Sequence, residues 1–173
     1  MPMGSIIKVL IFYKEPFWRK EGLSGQTMSD VEPLMLTYDA SPTDLSYGAL
    51  VGFVAGRHAV ELGQKTQAER RARMLKTIER FFGPKALEAT DYVDKDWGEE
   101  EFSGGCYFNA FLPGHLTEYK GAAALREPTG CLHWASTELA HKWYGYIEGA
   151  IESGEAAAYE VLRQSDPEVL SKL

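Results

Sequence analysis

The chain has 173 residues and a mass of 19.3 kDa, with 45% hydrophobic and 25% charged residues. These proportions are typical of a folded globular protein and exclude a disordered or collagen-like chain. Its 18 basic and 25 acidic residues give a net charge of −7, which argues against a protein whose main task is to bind nucleic acid. Two cysteines are too few for a disulfide framework. At this length, composition alone predicts one self-sufficient domain.

The first predicted element is a strand over residues 6–13, IIKVLIFY, because β-branched and apolar residues fill it. Lys8 lies inside this strand, and a buried lysine is costly unless it meets a partner or a wet cavity. Two interpretations stay open: Lys8 points outward from an edge strand, or it faces a cavity. A polar loop at 39–47 precedes a second predicted strand at 49–55, in which Gly52 is a candidate for close backbone approach.

Thr66 and Glu69 have the spacing of a capping box and predict where a helix begins. Gly83 and Pro84 predict its end. The apolar residues between them recur at helical spacing and are Ala72, Leu75, Ile78 and Phe82. The other face is basic but carries interleaved glutamates, which indicates a solvated surface rather than a nucleic-acid site.

The last third of the chain predicts a short buried strand at 131–135 and a helix at 145–164. Gly145, Gly149 and Ser153 are spaced four apart and therefore lie on one face of that helix. Small residues in such a row allow close packing on a neighbouring element or on a flat ligand, and the pattern leaves both open.

Cys106 follows two glycines and precedes a tyrosine in the string SGGCY. The glycines let the backbone pass close to another group, so the thiol is either buried in a tight loop or reactive. No histidine pair has zinc-like spacing, so no metal site is expected. The chain also lacks a Gly-x-Gly-x-x-Gly string and thus a complete dinucleotide-binding unit.

Four strings, in chain order, resemble the C-terminal part of flavin-containing monoamine oxidases. They are GSIIKVLIFYKEPFWRK at 4–20, DWGEEEFSGGCY at 96–107, LREPTG at 125–130 and TELAHKWYGYIEGAIESGEAAAYEVL at 137–162. The resemblance runs collinearly over nearly the whole chain. Long, rare strings at the expected intervals make it far more specific than one short motif.

The resemblance implies a set of catalytic and substrate-binding residues. Tyr107 and Tyr146 correspond to the two walls of an aromatic cage that aligns the amine. Lys8 corresponds to the lysine that holds a water against flavin N5. Phe53 matches a phenylalanine of the substrate cavity, and Leu36 falls near its gate, where a bulky tyrosine stands in one mammalian form.

The resemblance also implies how FAD is held. Cys106 matches the cysteine bonded through its sulfur to the flavin 8α-methyl group. Trp97 matches a tryptophan that flanks the flavin. The other cofactor-binding positions lie near the last helix and are Ser136, Thr137, Glu138, Gly145 and Tyr146. The family's Gly-Thr-Glu string begins with Ser136 in this chain, so a side chain stands where the backbone normally approaches the cofactor.

The expected architecture is α+β, the C-terminal fragment of a two-domain FAD-linked amine oxidase fold. Residues 1–99 would form part of the substrate domain, with a mixed sheet and helices. Residues 100–166 would form the last strand and helix of the FAD domain, and residues 167–173 a tail. The N-terminal FAD-binding half is expected to be a missing partner.

The implied reaction is oxidative deamination of primary or secondary amines to aldehyde, ammonia or amine, and hydrogen peroxide. An amine and dioxygen are thus the expected small-molecule partners, without nucleic acid and with a homodimer as one option. A polyamine oxidase and a truncated, non-catalytic scaffold that binds a partner protein are the alternatives.

The localisation is predicted from the last three residues, Ser171, Lys172 and Leu173, which match the peroxisomal address. We expect a peroxisomal protein in a eukaryote and a cytoplasmic one otherwise. The chain has no apolar run of membrane-spanning length, so no tail anchor is expected and the outer mitochondrial membrane is disfavoured.

Overall fold

The computed structural model describes residues 2–109, 111–114 and 124–165. The chain divides into two compact units, Met3–Tyr107 and Phe108–Leu173, the latter together with Met1–Pro2. The single self-sufficient domain predicted from length is therefore wrong. The assignment of 1–99 and 100–166 to substrate and FAD domains stays a prediction, and the expected tail and the Ser171–Leu173 address lie outside the described residues.

A five-stranded sheet forms the first unit, in the order β2-β3-β4-β1-β5. Its strands are β1 (Ile6–Tyr13), β2 (Thr27–Met28), β3 (Leu34–Asp39), β4 (Gly48–Ala55) and β5 (Asp91–Asp96). The two strands predicted at 6–13 and 49–55 are confirmed. Every pairing between these strands is antiparallel, whereas a mixed sheet was expected.

Strand β1 lies between β4 and β5, so the edge-strand interpretation of Lys8 is wrong. Both neighbours take up the backbone hydrogen bonds of β1, and Lys8 is nevertheless exposed. Its side chain therefore projects to solvent from one face of the sheet. The close approach predicted at Gly52 is confirmed, because a Cβ at that position would lie 2.7 Å from Cδ1 of Leu34.

The helices are α1 (Phe17–Lys20), α2 (Arg57–Gly63), α3 (Gln67–Phe82) and α4 (Ile147–Ser165). The capping box predicted for α3 is confirmed: the Glu69 N–H donates to Thr66 Oγ1 at 3.3 Å, and the Thr66 N–H donates to Glu69 Oε2 at 2.8 Å. The helix ends before Gly83, as predicted. No helix in the described part of the chain is both long and apolar enough to cross a membrane.

The core of the first unit lies on one face of the sheet. Alternate residues of β1 point into it, since successive side chains of a strand face opposite sides. The buried cluster includes Ile7, Val9 and Ile11 from β1 and Met74, Leu75, Ile78 and Phe82 from α3. Ala72, expected on this apolar face, is exposed instead.

Helix α3 is linked to β5 by a partly buried ion pair. Arg70 donates from Nε to Asp94 Oδ2 at 2.7 Å and from Nη2 to Asp94 Oδ1 at 2.9 Å. The Tyr92 hydroxyl donates to the same carboxylate at 2.9 Å, and the Asp94 side chain is only 1% exposed. Burial alone would raise the pKa of Asp94, but the hydrogen bonds from Arg70 and Tyr92 outweigh it and hold that pKa below its ordinary value.

The second unit is built around α4, whose small residues pack within the unit. A Cβ at Gly149 would collide with the carbonyl of Trp143, so the chain before the helix passes directly against it. The buried Ser153 hydroxyl accepts a hydrogen bond from the Ser136 N–H at 3.1 Å. Of the two alternatives left open by the sequence, Gly149 and Ser153 therefore show close packing on a neighbouring segment of the chain.

The strand expected at 131–135 is not formed. This segment is largely exposed and has a single isolated bridge, between Thr129 and Leu132. A strand needs a neighbour to take its backbone hydrogen bonds, and no described strand pairs with this segment. The last strand predicted for the FAD domain is therefore wrong for the described chain, whereas the helix after it is confirmed as α4.

Candidate active site

The face of the sheet opposite the core gathers three predicted site residues in one row. Lys8 on β1 pairs with Phe53 on β4, and Phe53 pairs with Leu36 on β3. On the other side, Lys8 pairs with Lys95 on β5. Directly paired residues of antiparallel strands project from the same face, so these four side chains form one row.

A second row lies next to the first, displaced by two residues on every strand and on the same face of the sheet. It consists of Tyr38, Val51, Leu10 and Val93. Its aliphatic members are only half-buried or exposed, in contrast to the core on the opposite face. We call the two rows together the open face; its side chains are apolar, phenolic or cationic.

Cys106 and Tyr107 are held beside the start of β1 by contact between backbones. The Cys106 N–H donates to the Gly4 carbonyl at 2.9 Å. A Cβ at Gly4 would collide with the Cys106 carbonyl, and one at Gly105 would collide with the Gly4 carbonyl. Gly105 of SGGCY therefore allows a close approach to the chain's own backbone at Gly4, whereas a Cβ at Gly104 would meet open space.

Tyr107 lies over the open face. Its ring centroid is 6.0 Å from that of Phe53, with the planes inclined at 51°, and its side chain is 52% exposed. Burial, followed by the nearby Cys106 and Tyr38, raises the pKa of the Tyr107 phenol. The structure thus brings Phe53 and Tyr107 together, as the resemblance implied.

The Cys106 thiol is free and partly exposed. Burial raises its pKa, and the nearby Lys8 ammonium counters part of that rise. Lys8 makes no hydrogen bond or ion pair with any described residue, whereas Lys95 forms an ion pair with Glu100. The Glu100 carboxylate therefore compensates the charge of Lys95, whereas the ammonium group of Lys8 has no such partner among the described residues of the open face.

Trp97 begins a short 3-10 turn, Trp97–Glu99, directly after β5. It is half-buried, and its turn contacts β1. The turn is fixed by Asp96, whose carboxylate accepts from the Gly98 N–H at 2.9 Å. The role of Trp97 beside a flavin stays a prediction.

The remaining predicted cofactor residues belong to the second unit, where they meet at the N-terminus of α4. Thr137 donates from Oγ1 to the Tyr146 carbonyl at 2.9 Å, and Gly145 directly precedes this tyrosine. Glu138 accepts from the backbone and side-chain nitrogens of Asn109, both at 3.3 Å.

Ser136 is extended and half-buried in the same unit, and its backbone N–H donates to the Ser153 hydroxyl of α4. Tyr146 is 66% exposed and packs edge-on against Trp143 at 6.1 Å. Its pairing with Tyr107 in an aromatic cage stays a prediction.

Two residues near these sites escaped the sequence interpretation. Tyr38 could have been found from Leu36, because positions two apart in a strand share a face. Asn109 carried no sequence signal, since its contact with Glu138 joins residues that are distant in the chain.

We expect Gly105→Ala to displace Cys106. The added Cβ would meet the Gly4 carbonyl, and the φ of +154° at this residue is one that side chains rarely adopt. Labelling of Cys106 by a maleimide in a Cys131→Ser background should change in rate by at least about threefold, as expected for about 1 kcal/mol of local strain. Gly154→Ala is the matched control, because a Cβ there meets open space. An unchanged rate for Gly105→Ala would contradict the close approach.

Comparison with known proteins confirms the resemblance. The family model for flavin containing amine oxidoreductase matches residues 1–162. A probable flavin-containing monoamine oxidase A of Dictyostelium discoideum is 45% identical over 161 residues, covering 93% of this chain and 35% of the relative. The flavin-containing amine oxidase B of Homo sapiens is 41% identical over 165 residues, which are 94% of this chain and 31% of the relative.

Solved structures give the same fold. A putrescine oxidase triple mutant with redesigned cofactor binding superposes with a TM-score of 0.85 at 35% identity, over 94% of this chain and 36% of that one. Cyclohexylamine oxidase from Brevibacterium oxydans IH-35A gives a TM-score of 0.84 at 30% identity, with the same coverage. The α+β amine oxidase fold is therefore confirmed, and the chain spans about a third of the length of its relatives. The chain belongs to the family of flavin-containing amine oxidoreductases.

Proposed function

We propose that this chain supplies the amine-facing wall and the flavin-attachment cysteine of a flavin-dependent amine oxidase. The overall reaction converts a primary amine, dioxygen and water into aldehyde, ammonia and hydrogen peroxide. The observation that carries the proposal is that Lys8, Phe53 and Tyr107 meet on one open face next to the free thiol of Cys106. A non-catalytic scaffold would not need this combination of side chains.

The residues present fit FAD. The Cys106 thiol is unpaired and accessible, and its backbone is fixed by Gly4, so it offers a defined point of attachment. In the second unit, the N-terminus of α4 presents unpaired N–H groups that suit an anionic or polar cofactor group. A bound flavin supplies the electron acceptor for amine oxidation and passes the electrons to dioxygen.

The protein's own side chains act on the amine. The faces of Phe53 and Tyr107 carry negative quadrupole charge and orient the nitrogen of an amine laid against them. The apolar surroundings and the unpaired Lys8 cation both disfavour a protonated amine, so a bound substrate loses its proton more readily. Lys8 has N–H donors free to hold a water at this face.

The open face favours a monoamine over a diamine. Its two rows carry Lys8 and Lys95 but no carboxylate that could pair with a second ammonium group. The similarity to putrescine oxidase structures is the observation that supports the polyamine alternative. Comparison of pentylamine with 1,5-diaminopentane as substrates separates the two.

The direct test is a chimera in which this chain replaces the matching third of the Dictyostelium relative. We expect the purified chimera to bind FAD and to release hydrogen peroxide when an alkylamine is added. The unaltered relative is the positive control, and a folded chimera that carries flavin but oxidises no amine would refute the proposal.

Covalent attachment gives a second expected outcome. Acid-precipitated chimera should retain its yellow flavin absorbance, whereas Cys106→Ala should lose it completely, because no other sulfur lies at that point of the loop. Cys131→Ser is the matched control and should keep the absorbance. Flavin that washes away from the unaltered chimera would disprove the covalent link while leaving amine oxidation to be judged by the peroxide assay.

A further inference from the structure

Tyr38 occupies a distinctive place on the open face. It lies on β3 two residues beyond Leu36, and its pairing partner on β4 is Val51. Its side chain is 41% exposed. The other members of its row are aliphatic, so Tyr38 brings the one phenol into this row.

The Tyr38 hydroxyl has no hydrogen-bond partner among the described residues. The buried tyrosines of the same unit differ in this respect, since Tyr13 donates to the Ala86 carbonyl at 3.1 Å and Tyr92 donates to Asp94 at 2.9 Å. The phenol is also near Tyr107, whose raised pKa has Tyr38 among its causes after burial and Cys106. The Tyr38 hydroxyl can thus donate and accept a hydrogen bond beside the Tyr107 ring, which faces the amine in the proposed function.

The surroundings restrict what this hydroxyl can bind. A second ammonium group is disfavoured because the unpaired Lys8 places a positive charge in the neighbouring row. A purely apolar substrate end would cover the phenol without satisfying its hydrogen bond, which is unfavourable. A neutral hydroxyl group both fits beside aliphatic neighbours and completes the hydrogen bond.

We propose that Tyr38 is a specificity-determining residue that selects monoamines bearing a neutral hydroxyl group at the end remote from the nitrogen. This inference rests on the proposed function and adds to it the class of amine. Successive rows are about 7 Å apart along a strand, so nitrogen and hydroxyl would be separated by a short carbon chain.

The test compares matched substrates in the chimera. Linear amino alcohols of four to six carbons are assayed against the alkylamines of the same length, in the unaltered protein and in Tyr38→Phe. We expect Tyr38→Phe to lower kcat/KM for the best amino alcohol by about five- to tenfold, the effect of one lost hydrogen bond. The value for the alkylamine should change by less than about twofold.

Tyr47→Phe is the matched control, because it removes another exposed hydroxyl from the same unit, on a ring that packs against Phe12 at 5.9 Å. It should leave the ratio of the two substrates unchanged. Equal losses for both substrates in Tyr38→Phe, or no loss for either, would overturn the inference while amine oxidation itself stands. A chimera that oxidises no amine would overturn the proposed function and, with it, this inference.

Discussion

Lys8→Met should lower the rate of amine oxidation by the flavin-loaded chimera by about 100-fold, the lower end of the range for loss of a positioned acid–base group, since the proposed role of Lys8 is to hold a water and to disfavour a protonated amine. Methionine keeps the length and apolar stem of the side chain but removes the N–H donors and the positive charge. In the proposed function both act at the open face, where they would hold a water and disfavour a protonated amine. Single-turnover measurement of flavin bleaching by pentylamine isolates this step from reoxidation.

Lys95→Met is the matched control for Lys8. It removes a neighbouring ammonium of the same row, but one that is exposed and paired with Glu100. Exposed ion pairs contribute little, so the rate should change by less than about threefold. Equal losses in the two variants would mean that the general positive charge of the row matters, and not the position of Lys8.

Asp94→Ala should have the largest effect on stability. It leaves the half-buried Arg70 guanidinium without its carboxylate, and because that cation can still reach water, the loss should lie at or below the lower end of the range of about 3–5 kcal/mol for a fully buried pair. Urea unfolding of the full chain, followed by tryptophan fluorescence, measures the loss. Glu15→Ala, which breaks an exposed pair with Lys20, should change the free energy of unfolding by less than about 1 kcal/mol.

The effect of Asp94→Ala should also depend on pH. The pKa of Asp94 is lowered in the folded state, so its contribution to stability is present above the pKa of the unfolded chain and is lost as pH falls through the folded value. The difference between variant and unaltered protein should therefore be largest near neutral pH and shrink in acid. A difference that stays constant would contradict the ion pair as its cause.

The elements that could be predicted from sequence are those whose own residues specify them. β1 is apolar apart from Lys8, β4 is apolar throughout, and α3 carries its start and stop signals at Thr66 and Gly83. β5 has the sequence DYVDKD, and its charges obscure a strand that exists because β1 lies beside it and Arg70 neutralises Asp94. The segment 131–135 is the opposite case. Its apolar residues predict a strand, but no described strand lies beside it to pair with, so the strand does not form.

The site was predicted from resemblance more than from pattern. Composition and spacing left Lys8 and Cys106 ambiguous, because a row across a sheet depends on register and register is not visible within one strand. The resemblance identified Lys8, Phe53, Leu36 and Tyr107, and the pairing of β1, β3 and β4 explains why residues so distant in sequence share a face. It did not reveal Tyr38, whose hydroxyl becomes notable only once its apolar neighbours are known.

The hydrogen bond between Cys106 and Gly4 joins the two ends of the unit Met3–Tyr107. The thiol is therefore placed by a contact between residues far apart in the chain, and closing so long a loop is unfavourable until the chain between them is ordered. We therefore expect Cys106 to reach its position after the sheet and α3 have assembled. Its reactivity would then report complete folding of the unit, and an attached flavin would be held at the place where the beginning and the end of the unit meet.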